Sequence, residues 1–231
     1  MVYKILFFFW AVVSMTLFAC NKASIDEMHD GVVNLSSVGV VNAVPGSSGM
    51  DVFVNSTRIN NTSDKLFFGE HIPYRNTYSG DVEFALTSYS GTKQEVHKEQ
   101  LTFHPNRVYS VFVYREGGLK LLQSEDNVLL PAKGQAKLRV VHLGGNVASM
   151  KVFSDERNVI FQRVGYKEVS SFINLPINIG YNLEITDENS DVTLELSFEP
   201  QNQGIYTLLI KGNKNNVGAG ETGLEAKIIK H

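Results

Sequence analysis

The chain has 231 residues, of which 43% are hydrophobic, and its 21 basic and 24 acidic side chains give a net charge of −3 at pH 7. This balance, without any cationic run, lacks the electrostatic footprint of a nucleic-acid-binding protein, so no nucleic-acid partner is expected. The one cysteine, Cys20, excludes an intrachain disulfide framework, so the fold must be stabilised by apolar cores.

The N-terminal segment has the features of a secretory signal. Residues 5–19 carry no charge, and the stretch is shorter than the ~20 residues of a membrane span but long enough for a signal-peptide core. It ends in Leu17-Phe18-Ala19-Cys20, which resembles the bacterial lipobox. We expect a lipoprotein signal peptide at residues 1–19, lipid attachment at Cys20 and a flexible tether at residues 20–32. An uncleaved signal anchor and a chance cysteine in a secreted chain are the alternatives.

Beyond residue 33 the sequence predicts short β-strands separated by turns. Val82, Phe84 and Leu86 alternate with Asp81, Glu83 and Ala85, which is typical of a strand with one buried face. No segment of comparable length shows helical periodicity. The predicted strands of this first part are residues 37–43, 50–54, 65–69, 81–89, 95–103 and 108–114.

An internal repeat then sets the domain organisation. Between residues 40 and 53, five of fourteen positions match the residue one hundred positions later, where ordinary composition gives about one match. The repeat predicts β-sandwich domains at residues 33–123 and 137–231, each large enough to bury its own core, joined by a linker at residues 124–136. Within the linker, the apolar residues 128–130 are expected to pack at the joint. The predicted strands of the second domain are residues 137–143, 150–154, 158–164, 181–186, 192–198, 205–210 and 224–229.

The most specific part of the repeat is Leu138-Arg139-Val140-Val141-His142, followed by Met150-Lys151-Val152-Phe153. This motif resembles the family of bacterial envelope domains called DUF4397, and the resemblance covers the chain twice from about residue 33 onward. It implies an all-β fold of two tandem immunoglobulin-like β-sandwich domains in a cell envelope, and no reaction. The first copy has Gly39 and Asn42 in place of the arginine and the histidine, so any role of those two residues belongs to the second copy alone. With the lipobox, the resemblance favours a lipid-anchored protein of the bacterial cell envelope, in the outer membrane.

Two tyrosines have the sequence context of framework residues. Tyr109 and Tyr206 each open an apolar strand just after a turn. In a tyrosine corner, the ring lies in the core and the hydroxyl bonds to upstream backbone. We interpret both residues as structural tyrosine corners rather than catalytic groups.

Several patterns that carry chemistry in other proteins are incomplete here. Residues 218–223 match the dinucleotide fingerprint GxGxxG, but the eight residues that follow leave no room for the rest of that fold. Asp187, Asn189 and Asp191 match positions 1, 3 and 5 of a calcium loop, yet Val192 and Phe198 stand where Gly and Glu are required. We interpret these segments as a loop and a hairpin turn. The histidines are too scattered for a zinc site and no G-x-S-x-G elbow exists, so no metal, cofactor or enzymatic activity is expected.

The remaining hypotheses are a binding module and a structural or assembly component of the envelope. A binding module for a glycan or a protein would use aromatic side chains in loops at the sandwich ends, and Tyr74, Tyr78 and Tyr89 are the candidates. The alternative is that Tyr74 and Tyr78 are core or strand-edge residues. An enzyme is disfavoured, since no carboxylate pair, nucleophile set or metal cluster is recognisable. Contact with the membrane is expected through acyl chains, not through a basic patch.

We predict that Cys20→Ala moves the protein out of the membrane fraction, as a soluble or unprocessed chain, because lipidation needs the thiol as acyl acceptor. Fractionation and immunoblotting measure the change. Ser24→Ala is the matched control and should stay with the membrane. A Cys20→Ala protein that remains in the membrane fraction would rule out the lipobox.

Overall fold

The computed structural model describes residues 34–61, 65–90, 92–187, 192–215 and 223–231. Cys20, the predicted signal peptide and the predicted tether lie outside these residues. So do residues 188–191 of the calcium-like pattern and residues 218–222 of the glycine-rich pattern. No helix in the described ranges is long and apolar enough to cross a membrane.

The first sandwich consists of two four-stranded sheets. Its outer sheet has the strand order β3-β2-β5-β6, and its inner sheet has the order β4-β1-β7-β8. The strands are β1 (Leu35–Asn42), β2 (Met50–Val54), β3 (Thr57–Arg58), β4 (His71–Tyr78), β5 (Gly80–Ser90), β6 (Thr92–Phe103), β7 (Val108–Arg115) and β8 (Leu119–Glu125).

The second sandwich has the same arrangement. Its inner sheet has the order β12-β9-β16-β17, with β13 also paired to β9, and its outer sheet has the order β11-β10-β14-β15. In both inner sheets the first strand of the unit pairs in parallel with a late strand, β1 with β7 and β9 with β16. The strands are β9 (Gln135–His142), β10 (Ser149–Phe153), β11 (Val159–Gly165), β12 (Glu168–Val169), β13 (Ile173–Pro176), β14 (Tyr181–Asp187), β15 (Thr193–Phe198), β16 (Ile205–Lys211) and β17 (Glu225–Lys230).

Each sandwich buries its own apolar core between its two sheets. In the first, Val38 and Val40 of β1 point to the same core as Val111 of β7 and Phe84 of β5. This follows from the period-2 alternation of strand side chains. The second core repeats the pattern with Leu138 and other residues of β9, β10, β14 and β16. The predicted all-β sandwich fold is confirmed.

A third core lies between the two sandwiches, where the inner sheets meet through the faces that point away from their own cores. We call this contact the joint. Because of it, β1, β7, β9 and β16 are buried on both faces almost throughout, and residues 34–231 form one compact unit. The apolar residues of the joint are Val41, Ala43, Phe112 and Tyr114 of the first sandwich and Val141, Leu143, Leu209 and Ile229 of the second.

The sequence-based boundaries need several corrections. β8 reaches Glu125 and β9 begins at Gln135, so the connection is shorter than the predicted linker. In it, Leu129 and Leu130 are 75% and 66% exposed and do not pack at the joint as expected. Residues 65–69 form no strand, and only Leu66 makes an isolated bridge to Met50. The strands β3, β4, β8, β12 and β13 were not predicted, because their short or mixed polar sequences lack a clear alternation.

The two late tyrosines occupy equivalent positions in the two cores. Both rings are buried, Tyr109 beside Phe103 and Tyr206 beside Phe198, with ring centroids 5.0 and 4.9 Å apart. Each hydroxyl accepts a hydrogen bond from the backbone N–H five residues upstream, that of His104 for Tyr109 and that of Gln201 for Tyr206, both 3.0 Å long. This is the contact that a tyrosine corner requires.

We predict that Tyr206→Phe lowers the free energy of unfolding by about 0.5–1.5 kcal/mol, since it keeps the ring and removes one hydrogen bond. Urea unfolding of the full chain is the measurement. Tyr78→Phe, at a phenol that is 66% exposed, is the control and should change stability by less than about 0.5 kcal/mol. Equal stability of the two variants would contradict a framework role for Tyr206.

Candidate functional site

Tyr74 and Tyr78, two of the three aromatic residues predicted to contact a ligand, have different surroundings. Tyr74 and Tyr78 lie on β4, the edge strand of the first inner sheet, and not in a loop. Tyr78 is 66% exposed. Tyr74 is half-buried in the joint, where its ring stacks on His231 at 5.3 Å between centroids. The side chain of Tyr89 lies outside the described part of the molecule, so a ligand role for these tyrosines stays a prediction.

Gly39 explains why the first copy departs from the repeated motif. A Cβ atom at residue 39 would lie 3.1 Å from Cδ1 of Tyr74 and 3.3 Å from the carbonyl oxygen of Ile72. The glycine therefore lets the Tyr74 ring lie close to β1, within the joint. A larger side chain at this position, such as the arginine of the second copy, would displace that ring.

Arg139 is the polar centre of the joint. Its guanidinium is fully buried and forms an ion pair with Asp126, with one nitrogen on each carboxylate oxygen. We call Arg139, Asp126 and the hydroxyl groups around them the arginine cluster. The other bonds of the guanidinium go to Thr207 Oγ1 at 3.0 Å, Ser110 Oγ at 3.1 Å and Ser124 Oγ at 3.2 Å.

The Asp126 carboxylate also has several hydrogen-bond donors around it. Besides Arg139, its carboxylate accepts hydrogen bonds from the hydroxyls of Ser110 and Tyr74, the latter 2.7 Å long. Burial, followed by the negative charge of Asp126, raises the pKa of Tyr74, so the phenol stays protonated and keeps donating. Two aromatic rings flank the guanidinium, that of Phe172 at 4.7 Å and that of Phe112 at 5.7 Å. The pair thus has the dense set of hydrogen bonds that a buried charge requires.

Buried His142 and half-buried His231 are neutral in this environment. Burial and the adjacent Arg139 charge lower the pKa of His231 to about 4, and its Nε2 lies 2.7 Å from Thr207 Oγ1. Burial also lowers the pKa of His142 to about 4. His142 Nδ1 accepts a hydrogen bond from the Gly144 N–H, while Nε2 lies 3.2 Å from the Val147 carbonyl.

Asn42, which replaces this histidine in the first copy, makes the same local contacts. Its Oδ1 accepts a hydrogen bond from the N–H of Val44, also two residues on, and its Nδ2 donates to Ser47 Oγ and to the Leu66 carbonyl. Asparagine and histidine therefore both hold the turn that follows the first strand of their sandwich. His142 acts as a hydrogen-bonded structural group.

A groove of about 630 Å³ opens beside the joint. We call it the β4 groove, because β4 forms one side and the loop before β4 forms the other. Lys227 of the second sandwich completes its wall. Its lining residues are Asn60, Asn61, Lys65, Leu66, Phe67, Glu70, His71, Ile72, Pro73, Arg75 and Lys227.

The lining of the β4 groove is cationic and has one large exposed ring. The lining contains three cations, Lys65, Arg75 and Lys227, and one carboxylate, that of Glu70. Of the three cations, Lys65 is also paired with Asp51, which does not line the groove. Burial and the charge of Lys227 lower the pKa of His71, so this imidazole is neutral near pH 7. Phe67 is 51% exposed at the groove although it is a large apolar residue.

The loop that carries these residues is fixed to the second sandwich. Buried Lys211 places its Nζ 3.7 Å above the Phe68 ring and also pairs with Glu225. Gly69 has a φ of +77°, and a Cβ atom there would lie 2.8 Å from Cε of Lys211. Glycine is thus required both by the backbone conformation and by the lysine. The β4 groove therefore has walls held by both sandwiches.

Asp51 of β2 forms ion pairs with two cations, Arg58 and Lys65. Burial alone would raise the pKa of this carboxyl, but its hydrogen bonds with Arg58 and Lys65 outweigh burial and lower it to about 2. Lys65 Nζ lies 2.8 Å from both carboxylate oxygens. Its position at the groove is therefore fixed by an ion pair.

The described residues contain no group of three or more His, Cys, Asp or Glu side chains placed to hold a metal ion. Sequence reasoning missed most of the residues that form the joint and the groove. A signal for one was present, since an arginine within an apolar strand such as β9 requires a buried partner. Asp126, Phe67, Arg75 and Lys227 carried no comparable signal.

The fold and site define a protein of two β-sandwiches that share a buried polar joint. The chain belongs to the DUF4397 family, described as a domain of unknown function, whose sequence profile matches residues 36–153. The matched segment contains the first sandwich, Asp126, Arg139 and the strands β9 and β10, which belong to different sheets of the second sandwich. No curated protein matches the sequence.

Two solved structures are similar to the chain at low identity. One is the family CBM26 module CBMbc from Eubacterium rectale Amy13K in complex with maltoheptaose, with 9% identity, a TM-score of 0.26, and 85% of this chain and 97% of that chain covered. The other is a candidate adhesin from Bacteroides ovatus, with 10% identity, a TM-score of 0.22, and coverages of 85% and 94%.

We predict that Arg139→Met lowers the free energy of unfolding by about 3–5 kcal/mol, because it leaves the Asp126 carboxylate buried without its counter-charge. Urea unfolding of the full chain is the measurement. Arg163→Met, on the exposed part of β11, is the matched control and should change stability by less than about 0.5 kcal/mol.

A second variant tests whether the loss of stability comes from the unpaired charge of Asp126. Arg139→Met combined with Asp126→Leu removes both charges, and we expect it to recover part of the loss, since replacing a buried pair costs less than breaking it. An Arg139→Met protein as stable as the Arg163→Met control would show that the arginine cluster does not hold the joint.

Proposed function

We propose that this protein is a non-enzymatic, lipid-anchored component of the bacterial cell envelope that binds a glycan or protein ligand in the β4 groove. The single observation that carries the proposal is the groove itself, with its exposed Phe67 ring and its exposed cations Arg75 and Lys227 beside a buried joint. Its volume of about 630 Å³ falls within the usual range of ligand sites.

The rigidity of the groove supports a binding role. One wall belongs to the first sandwich and Lys227 belongs to the second, and the arginine cluster and Lys211 hold these parts in register. A preformed site loses less conformational entropy on binding than a mobile loop does. The groove has one lining carboxylate and no nucleophile beside a base, which favours binding over catalysis.

The placement in the envelope rests on the sequence. The lipobox-like Leu17-Phe18-Ala19-Cys20 favours acylation at Cys20 and anchoring in the outer membrane. We also propose that the second sandwich is a second copy of the DUF4397 domain. The hundred-residue repeat and the matching strand order of the two sandwiches support this assignment.

The alternative is a structural or assembly component of the envelope. The observation in its favour is the pair Leu129 and Leu130, which are 75% and 66% exposed in the connection between the sandwiches. Exposed apolar residues of this kind are found where another protein docks. In this alternative the sandwiches are spacers and the β4 groove has no ligand.

A glycan array probed with the full chain in detergent separates the two proposals. A binding module should retain a defined subset of glycans, and Phe67→Ala should reduce that signal because the exposed ring is lost. Ile179→Ala, at an apolar residue that is 52% exposed outside the groove, is the control. An array with no bound glycan, or one on which both variants behave as the parent does, would favour the assembly alternative.

A further inference from the structure

We propose that the ligand of the β4 groove is an acidic saccharide, held by paired cations and stacked on Phe67. This inference rests on the proposed function, since it names the ligand class of the same groove. It follows from three observations: the charge of the lining, the exposed ring, and the local structure of β4.

The charge of the groove comes from both sandwiches. Arg75 on β4 and Lys227 on β17 are exposed and line the same space, and neither pairs with a carboxylate among the described residues. Lys65 also lines the groove, but its charge is offset by the Asp51 carboxylate with which it pairs, so the selection rests on Arg75 and Lys227. Because the whole chain has a net charge of −3, this cationic groove is a local feature and selects for an anion by charge complementarity.

Arg75 contributes the planar geometry of its guanidinium as well as its charge. A guanidinium presents parallel N–H donors that match the two oxygens of a carboxylate or of a sulfate group. A sugar ring with a carboxylate at Arg75 could place a neighbouring acidic group near Lys227. Arg75 and Lys227 belong to different sandwiches. A saccharide with repeated acidic groups therefore fits these two cations better than a single small anion does.

Phe67 offers an apolar contact that suits a sugar ring and not an inorganic anion. Its backbone N–H donates to the Glu70 carboxylate at 3.1 Å, which anchors the loop beneath the ring. The exposed ring face is apolar and flat, and the apolar face of a sugar ring can pack on it. Ring stacking and cation pairing together therefore define a carbohydrate with acidic groups.

The structure of β4 argues against an acidic peptide bound as an added strand. Strand addition uses a continuous row of backbone donors and acceptors on a sheet edge. Pro73 lies in the middle of β4 and has no N–H, and the pairing of β4 with β1 shifts register between Val38 and Val40. A ligand of this groove must be held by side chains, which suits a saccharide.

The test is calorimetric binding of the full chain in detergent at low salt. The probes are a hexamer of galacturonic acid, a neutral glucose hexamer of equal length and a glutamate hexamer of equal charge. We expect the uronate to bind at least tenfold more tightly than the other two, and its affinity to fall as sodium chloride is added.

The variant Arg75→Gln/Lys227→Gln should weaken uronate binding about tenfold or more, because both cations that face the acidic groups are lost. Arg163→Gln on β11 makes the same kind of charge change outside the groove and is the control. Circular dichroism melting verifies that both variants are folded.

The outcomes distinguish this inference from the proposed function. Neutral and acidic hexamers bound equally would overturn the acidic class and leave a glycan-binding module. A glutamate hexamer bound more tightly than the uronate would overturn the saccharide in favour of an acidic peptide. Uronate binding unchanged in Arg75→Gln/Lys227→Gln would overturn the groove as its site. The absence of binding to all three probes, together with an empty glycan array, would overturn both proposals.

Discussion

The buried ion pair between Arg139 and Asp126 is the constraint on which the rest of the structure depends. Two charges removed from water lose several kcal/mol of hydration each, and only a full set of hydrogen bonds in one geometry offsets that cost. Ser110 and Tyr74 of the first sandwich and Thr207 of the second supply these bonds. The pair therefore adds a directional contact between the two inner sheets to the apolar packing around it.

The joint is asymmetric although the two sandwiches have the same strand order. Gly39 stands in the motif position that Arg139 occupies one hundred residues later, and the Tyr74 ring lies in the space that a side chain at residue 39 would need. By contrast, Asn42 and His142 make equivalent turn contacts in their own sandwiches. Asn42 and His142 thus serve the turn of their own sandwich through one shared contact, whereas Gly39 and Arg139 make different contacts at the joint.

Alternating apolar residues and turns in the sequence predicted strands within each sandwich, but they did not predict the joint. The strand 50–54 and the contexts of Tyr109 and Tyr206 could be read locally, because one buried face gives a period of two. The joint also left a signal, since Val111-Phe112-Val113 and Leu208-Leu209-Ile210 are continuous apolar runs, as expected for strands buried on both faces. Such runs do not identify their partner. The β4 groove combines Phe67 and Arg75 with Lys227, and no sequence pattern relates residues so far apart.

The position of the groove links its occupancy to the closure of the joint. Lys227 reaches the groove only when the second inner sheet is packed on the first, so a ligand that contacts both Arg75 and Lys227 binds the closed arrangement in preference to an open one. By mass action, such a ligand stabilises the joint by RT ln(1 + [L]/Kd). The same linkage requires that a weaker arginine cluster lower ligand affinity, even though Arg139 does not line the groove. If the groove binds such a ligand, the buried pair contributes to that binding through the register of the two sheets, and not through contact with the ligand.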